Sequence, residues 1–238
     1  MDRSVSDLSA TRVLARRTEV LVPARDAVLR GSLMVPEGAR GIVVFAHGSG
    51  SSRLSPRNLR VAGSFEELGL ATLLFDLLTP RESEVDELTR GLRFDIELLS
   101  RRLVDVVDWL GTSEALQGLA GRSGEAARAW IGLFGASTGA AAALTAAAQR
   151  ADVVAAVVSR GGRPDLAGDW LPRVRAPTLL IVGGHDPEVI ACNREAAEAL
   201  RCAHELRIVP GATHLFQEPG TLAEVARLAG EWFVRHCA

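Results

Sequence analysis

Three side chains in this sequence have the types and the chain order of a nucleophile, an acid and a base. Ser137 stands in Gly135-Ala136-Ser137-Thr138-Gly139, between the apolar run Trp130–Phe134 and the alanine-rich segment Thr138–Arg150. A glycine-flanked serine between a strand and a helix has the form of a nucleophile elbow. The sharp turn lifts the hydroxyl above the sheet edge and aims the free N–H groups of the helix start at a developing oxyanion. Without that chemistry, the same five residues are a glycine-serine turn. Asp186, in Gly183-Gly184-His185-Asp186-Pro187, follows the apolar run Thr178–Val182. It is placed to orient an imidazole and stabilise it when protonated, or to N-cap the helix that Pro187 opens. His214, in Gly211-Ala212-Thr213-His214, follows Glu205–Val209 and is the candidate general base. The coincidence of serine, acid and histidine in that order, each past the carboxyl end of a strand, carries more weight than any one of them.

A fourth segment, His47-Gly48-Ser49-Gly50-Ser51-Ser52-Arg53, directly follows the apolar run Gly41–Ala46. A loop in that place supplies a second oxyanion N–H, here assigned to Ser49 beside that of Thr138. Gly48 and Gly50 let the backbone approach a substrate without a Cβ, and His47 is expected to brace the loop through a hydrogen bond. A glycine- and serine-rich loop before a helix also fits a phosphate nest. The G-x-x-x-x-G-K-[ST] signature is absent, however, and the chain has no lysine at all. Asp76 ends the run Leu70–Phe75 and is placed to line a pocket. Arg53, Arg57, Arg93 and Arg160 are read as loop residues at the same edge, either surface arginines or ligands for an acidic substrate. The candidate substrate-binding residues are therefore His47, Gly48, Arg53, Asp76 and Arg160.

These residues need a sheet to hold them. Thr18–Val22 and Val28–Val35 read as an antiparallel hairpin. The continuous apolar runs Gly41–Ala46, Leu70–Phe75, Trp130–Phe134, Val153–Val158 and Thr178–Val182 read as parallel strands buried on both faces, with Glu205–Val209 nearer an edge. Helical spacing separates them, over Leu59–Leu68, Asp95–Leu110 (with Asp95 as N-cap), Thr138–Arg150, Val189–Leu200 and Leu222–His236. The expectation is an α/β fold, a mostly parallel twisted sheet with helices on both faces. A polar segment, 1–17, would precede a single domain, 18–238, with little or no cap. Leu77–Leu92 and Ser159–Arg175 read as loops over the site, and Gly111–Arg128 as a small polar segment away from it.

Composition narrows the partners. All 27 basic residues are arginine, tyrosine is absent, and the formal net charge is −2. A lysine base, a lysine Schiff base and a tyrosine proton donor are thus excluded, and no basic stripe with interleaved aromatics suggests nucleic acid. The alanine, glycine and arginine bias suggests a GC-rich bacterial genome. Cys192, Cys202 and Cys237 are odd in number and widely spaced, so a reduced cytoplasm is the expectation and a disulfide framework is not. No zinc spacing, signal segment or membrane span is read from the sequence.

With these residues in place, the chain resembles the α/β-hydrolase superfamily over nearly its whole length, and within it the dienelactone hydrolase-like group. The matching stretches are Phe45–Arg53 (FAHGSGSSR), Leu73–Leu78 (LLFDLL), Leu133–Leu144 (LFGASTGAAAAL), Ile181–Asp186 (IVGGHD) and Pro210–Phe216 (PGATHLF). Dienelactone hydrolases use a cysteine in the elbow where this chain has Ser137, and compact relatives are sometimes joined to a phosphoribosyltransferase domain. The resemblance implies a cofactor-free, metal-free serine hydrolase acting on a small-molecule acyl substrate. A homodimer is a further expectation. A thioesterase or acyltransferase would use the same triad, and a catalytically silent binding module would reuse the fold.

Overall fold

The structure, a computed structural model, describes residues 17–112 and 129–237. Among them are eight strands: β1 (Thr18–Pro23), β2 (Val28–Met34), β3 (Gly41–Ala46), β4 (Ala71–Phe75), β5 (Trp130–Ala136), β6 (Val154–Arg160), β7 (Thr178–Gly183) and β8 (His204–Val209). They form one sheet in the order β1-β2-β4-β3-β5-β6-β7-β8. Strand β2 runs against both of its neighbours, and every pair from β4 to β8 is parallel. The expected hairpin, parallel core and edge position of the last strand are all present.

The periodicity explains the layers. Strand β3 is buried at every position, as an apolar run between two helical layers must be. Its alternation sends Ile42, Val44 and Ala46 into one cluster. This cluster includes residues of α3 (Ile96–Thr112), α4 (Thr138–Gln149) and α5 (Pro187–Ala199). Val43 and Phe45 go to the other face, with α1 (Pro56–Glu67) and α6 (Thr221–Cys237). There Phe45 meets Phe134 with ring centroids 4.9 Å apart, and Phe65 meets Phe233 edge-on at 5.6 Å. Such aromatic pairs add about 0.5–1.5 kcal/mol beyond their area. Helix α4 presents Ala140–Ala143, Ala146 and Ala147, all fully buried, and these small side chains let it lie close to the sheet.

Two expected loops are partly helical. Within 77–92, residues Pro80–Thr89 form α2. Its amphipathicity is weak, with Leu88 exposed, so hydrophobic periodicity does not reveal it. The helix begins instead on a capping box. The Thr79 hydroxyl accepts from the Glu82 N–H at 3.3 Å, and the Glu82 carboxylate accepts from the Thr79 N–H at 2.8 Å. Pro80 opens the first turn, and Arg90 ends the helix in the left-handed region at φ 56°. Residues 159–175 begin inside β6 and then form a 3-10 segment, Pro164–Arg173, interrupted at Gly168. Of the segment 111–128, Gly111 and Thr112 continue α3, and 113–128 lie outside the described residues.

Helix α2 is pinned from below by Arg102 on α3, a side chain that is 1% exposed. Its Nη1 donates to the Leu77 carbonyl at 2.8 Å and to Glu82 at 2.7 Å, while Nη2 donates to the other Glu82 oxygen at 2.7 Å. Asp26 approaches the same guanidinium at 3.4 Å. Because Glu82 is 30% exposed, solvent screens part of the interaction. Arg102→Ala is expected to lower unfolding stability by about 2–3 kcal/mol in urea titration, the scale of losing charge-assisted bonds. Hydrogen exchange should rise first over 77–89.

Candidate active site

The carboxyl ends of β3, β5, β6, β7 and β8 lie along one edge of the sheet, and the elbow occupies its middle. Ser137 sits at φ 50°, ψ −122°, in a region that L-residues rarely occupy, at a cost of about 1–3 kcal/mol. The surrounding backbone holds it there. Its N–H donates to the Arg160 carbonyl at 3.3 Å, and its carbonyl accepts from Ala140 and Arg163, each at 3.1 Å. The flanking glycines are sterically required. A Cβ on Gly139 would lie 2.2 Å from the Ala46 carbonyl oxygen, and one on Gly135 would lie 2.5 Å from the Cα of Ala140. Thr138 opens α4, so its N–H is one of the helix's unpaired donors.

The loop after β3 reaches the same point. A Cβ on Gly48 would meet the Ser137 Cβ at 2.9 Å, so the backbone here passes directly against the elbow. The Ser49 N–H makes no backbone hydrogen bond. His47 braces the loop as expected: its Nε2 accepts from the Leu77 N–H at 3.0 Å, and Nδ1 faces the Gly48 carbonyl at 3.0 Å. That pairing requires the neutral imidazole with its proton on Nδ1. Burial lowers the His47 pKa, only partly offset by the Gly48 carbonyl and the Asp76 charge.

Asp186 and His214 are joined. The Asp186 Oδ2 accepts from His214 Nδ1 at 2.7 Å, with the two side chains 15% and 39% exposed. A carboxylate only accepts, so Nδ1 carries a proton, and in the neutral ring Nε2 is then the acceptor. The Asp186 side chain makes no capping bond to α5; its carboxylate turns to His214 instead. Backbone bonds from Gly184 to Val209 and from His185 to Ala212, each 2.9 Å, tie the two loops together. Gly161, at φ 50°, lies against His214: a Cβ there would be 3.0 Å from the His214 carbonyl oxygen and 3.7 Å from Nδ1. Ser137 and His214 are not hydrogen-bonded to each other in this structure, and such bonds often tighten only when substrate binds.

Two residues to which the sequence gives no individual role also fix the histidine loop. Glu218 accepts from the Thr213 hydroxyl at 2.6 Å and from the Thr213 N–H at 3.1 Å. Phe216 takes φ 53° with its ring 1% exposed. No local motif announces Glu218. The left-handed Phe216 has no sequence signal either, because its conformation follows from burying the ring.

The arginines at this edge have separate fates. The Arg53 N–H and Nη1 donate to Asp76 at 2.7 and 2.8 Å, and Nη2 donates to Glu19 at 2.8 Å. Arg53 and Asp76 therefore fasten the loop to β4 and β1. Arg93 binds the buried Asp86, with Nε donating at 2.6 Å. Arg160 is corrected from a loop residue to the last residue of β6, and it is 8% exposed. A cleft of about 860 Å³ borders the elbow through Gly48, Ser49 and Thr138, with Arg53, Asp76 and α2 in its walls. Ser137 and His214 are not part of its lining. Among the described residues, no group of three His, Cys, Asp or Glu side chains is placed to hold a metal ion. No helix there is long and apolar enough to cross a membrane.

Residues 29–232 match the model of the dienelactone hydrolase family. The chain belongs to that family. A dienelactone hydrolase from Anabaena variabilis is 54% identical, with 94% of this chain and 99% of that one covered at a TM-score of 0.88. Est1E from Butyrivibrio proteoclasticus, at 15% identity and TM-score 0.72 over 92% of this chain and 98% of that one, shares the fold. A Mycobacterium tuberculosis protein described as a candidate phosphoribosyl transferase is 55% identical over 93% of this chain and 47% of its own length. The chain thus spans about half the length of the curated relatives it matches. Family membership supports a hydrolase.

A pH test follows from His47. Its folded pKa lies below the unfolded value near 6.5, so protonation favours the unfolded chain. The His47 contribution is complete above about pH 6.5 and is lost as pH falls toward the folded pKa, with a limiting slope of about 1.4 kcal/mol per pH unit. Denaturant titrations of the wild type between pH 7 and 5.5 should show that loss. His47→Gln should show a shallower slope.

Proposed function

We propose that this protein is a serine hydrolase that cleaves a small carboxylic ester or related acyl compound through an acyl-enzyme. The observation that carries the reading is the Asp186–His214 bond of 2.7 Å, on the same sheet edge as a strained, glycine-flanked Ser137. In this reading the Ser137 Oγ attacks the carbonyl carbon while His214 Nε2 takes its proton. Asp186 stabilises the imidazolium that forms. The N–H groups of Ser49 and Thr138 hold the oxyanion, a contribution of about 10²–10³ in rate for each donor. The proton then passes to the leaving alcohol, and water, activated by the same imidazole, releases the acid and restores Ser137. No cofactor has a part in these steps. The transferase description of the Mycobacterium relatives attaches to proteins about twice as long, of which this chain matches 47%.

Ser137→Ala should reduce turnover of p-nitrophenyl acyl esters by at least about 10³-fold while leaving the far-UV circular dichroism and the unfolding midpoint near those of the wild type. A fluorophosphonate probe should label the wild type at Ser137 and leave the variant unmodified. Asp186→Asn should cost about 10⁴ in kcat, because the imidazole loses its tautomer control. Undiminished turnover by the Ser137 variant would sink the assignment. An unlabelled wild type with no ester turnover would favour a binding module on the same fold.

A further inference from the structure

The turn that leaves β6, residues 160–163, touches both the proposed nucleophile and the proposed base. The Arg160 carbonyl accepts from the Ser137 N–H at 3.3 Å, and the Arg163 N–H donates to the Ser137 carbonyl at 3.1 Å. Gly161 packs against His214, with room for no Cβ beyond 3.0 Å from the His214 carbonyl oxygen. A Cβ on Gly162 would fall 2.5 Å from the Cβ of Ala140, in the first turn of α4. One short turn thus fixes the backbone of the serine on one side and flanks the histidine on the other. Whatever seats this turn also sets how those two residues meet.

Its seat is Asn193 on α5, a side chain with no solvent exposure. The Asn193 Nδ2 donates to the Gly162 carbonyl at 2.9 Å and to the Val189 carbonyl, one turn back on the same helix, at 2.8 Å. Both neighbours are carbonyl oxygens, so the NH2 end of the amide must face them. Among the described residues no backbone N–H donates to the Gly162 carbonyl, so the Asn193 amide is the polar hold of α5 on the turn. The penalty appears at the other end of the amide, where Oδ1 is buried without a partner. A leucine has nearly the same shape and would leave no polar atom unsatisfied there. The helix that carries Asn193 also matters. Asp186 stands at its start and Asn193 two turns further along, so the two side chains share a face. From that face the acid reaches His214 at 2.7 Å and the amide reaches the turn.

We infer that Asn193 is a positioning residue for the reaction. Its amide clasps the turn at 160–163 to the helix that Asp186 opens, and so holds Ser137 and His214 in register with the acid. The inference rests on the serine-hydrolase reading and adds to it a residue that acts through its neighbours. No residue of α5 or of this turn lines the 860 Å³ cleft. Loss of the clasp therefore leaves that cleft intact and slows the chemistry. The scale follows from geometry, because a displacement of about 1 Å between reacting groups can cost about 10² in rate.

Two variants separate positioning from stability. Asn193→Leu removes both N–H donors at nearly constant volume. Asn193→Ser keeps a hydroxyl that can return to the Val189 carbonyl but is too short to span to Gly162. Both are compared with the wild type in turnover of p-nitrophenyl acetate and p-nitrophenyl butyrate and in the rate of fluorophosphonate labelling, at a temperature where the circular dichroism of each is native. Each variant should lose about 10–10² in kcat with KM within about twofold, and labelling of Ser137 should slow by a similar factor. A residue that serves stability alone would not produce that loss per folded molecule. A lowered unfolding midpoint with kcat, KM and labelling rate equal to those of the wild type would make Asn193 structural and overturn the inference, while the hydrolase reading stood. A change confined to KM would overturn it as well, because the clasp touches no wall of the cleft. Should Asn193→Leu fail to fold, Asn193→Ser decides alone, since it preserves the bond within the helix. A wild type that is neither labelled nor active on either ester would bring down the hydrolase reading and the inference with it.

Discussion

Much of this site depends on how closely the start of one helix approaches the ends of two strands. Where α4 leaves β5, the Gly139 Cα lies so near the carbonyls of Ala46 and His47 that no side chain could stand between them. That proximity sets the sharpness of the turn, and the sharpness of the turn sets the conformation of Ser137. It also brings Gly48 against the Ser137 Cβ, so the loop after β3 and the helix start present their N–H groups to the same volume. The strain at Ser137 persists because the neighbours are over-determined. Strands β3 and β5 are paired over six residues from Gly41↔Trp130 to Ala46↔Gly135, and the alanines of α4 leave the helix no looser seat.

Electrostatics then separates braces from free groups. Arg53–Asp76, Arg93–Asp86 and Arg102–Glu82 fasten the loop after β3, the segment after α2 and α2 itself. Glu218 performs the same service for the histidine loop through Thr213. What these bonds hold still is a short list of unpaired polar groups: the N–H groups of Ser49 and Thr138 and the Nε2 of His214. Groups that the protein could satisfy and does not are the natural points of contact for something else.

The sheet and the elbow were legible because their signals are local and repeated. A continuous apolar run such as Gly41–Ala46 has one stable location, the interior of a parallel sheet, and the residues at its carboxyl end inherit the site. Asp186 has two local readings, cap or acid partner of a histidine, and its bond to His214, 28 residues away, is a contact no local pattern could show. Helix α2 is hidden for a different reason. Its apolar residues do not trace a face, so periodicity is silent there, and only the start signal in Thr79-Pro80-Arg81-Glu82 marks it. Arg160 reads as a loop residue from sequence because an arginine just past an apolar run looks like the point where burial stops. Here the strand continues two residues past Val158, and the charge goes in with it. Glu218 and Phe216 had no readable signal, since their roles exist only once the last loop has closed.

The all-arginine composition has a final consequence. Without lysine or tyrosine, the side chains offer almost nothing that titrates between roughly pH 8 and 12. Three cysteines remain, of which Cys202 is raised by burial and Cys237 is pushed up to about 12. The buried Arg160, whose pKa burial and the Arg57 charge pull down to about 10, joins those thiols in that range. An alkaline titration of this chain thus reports on very few kinds of side chain, and the three thiols are among them.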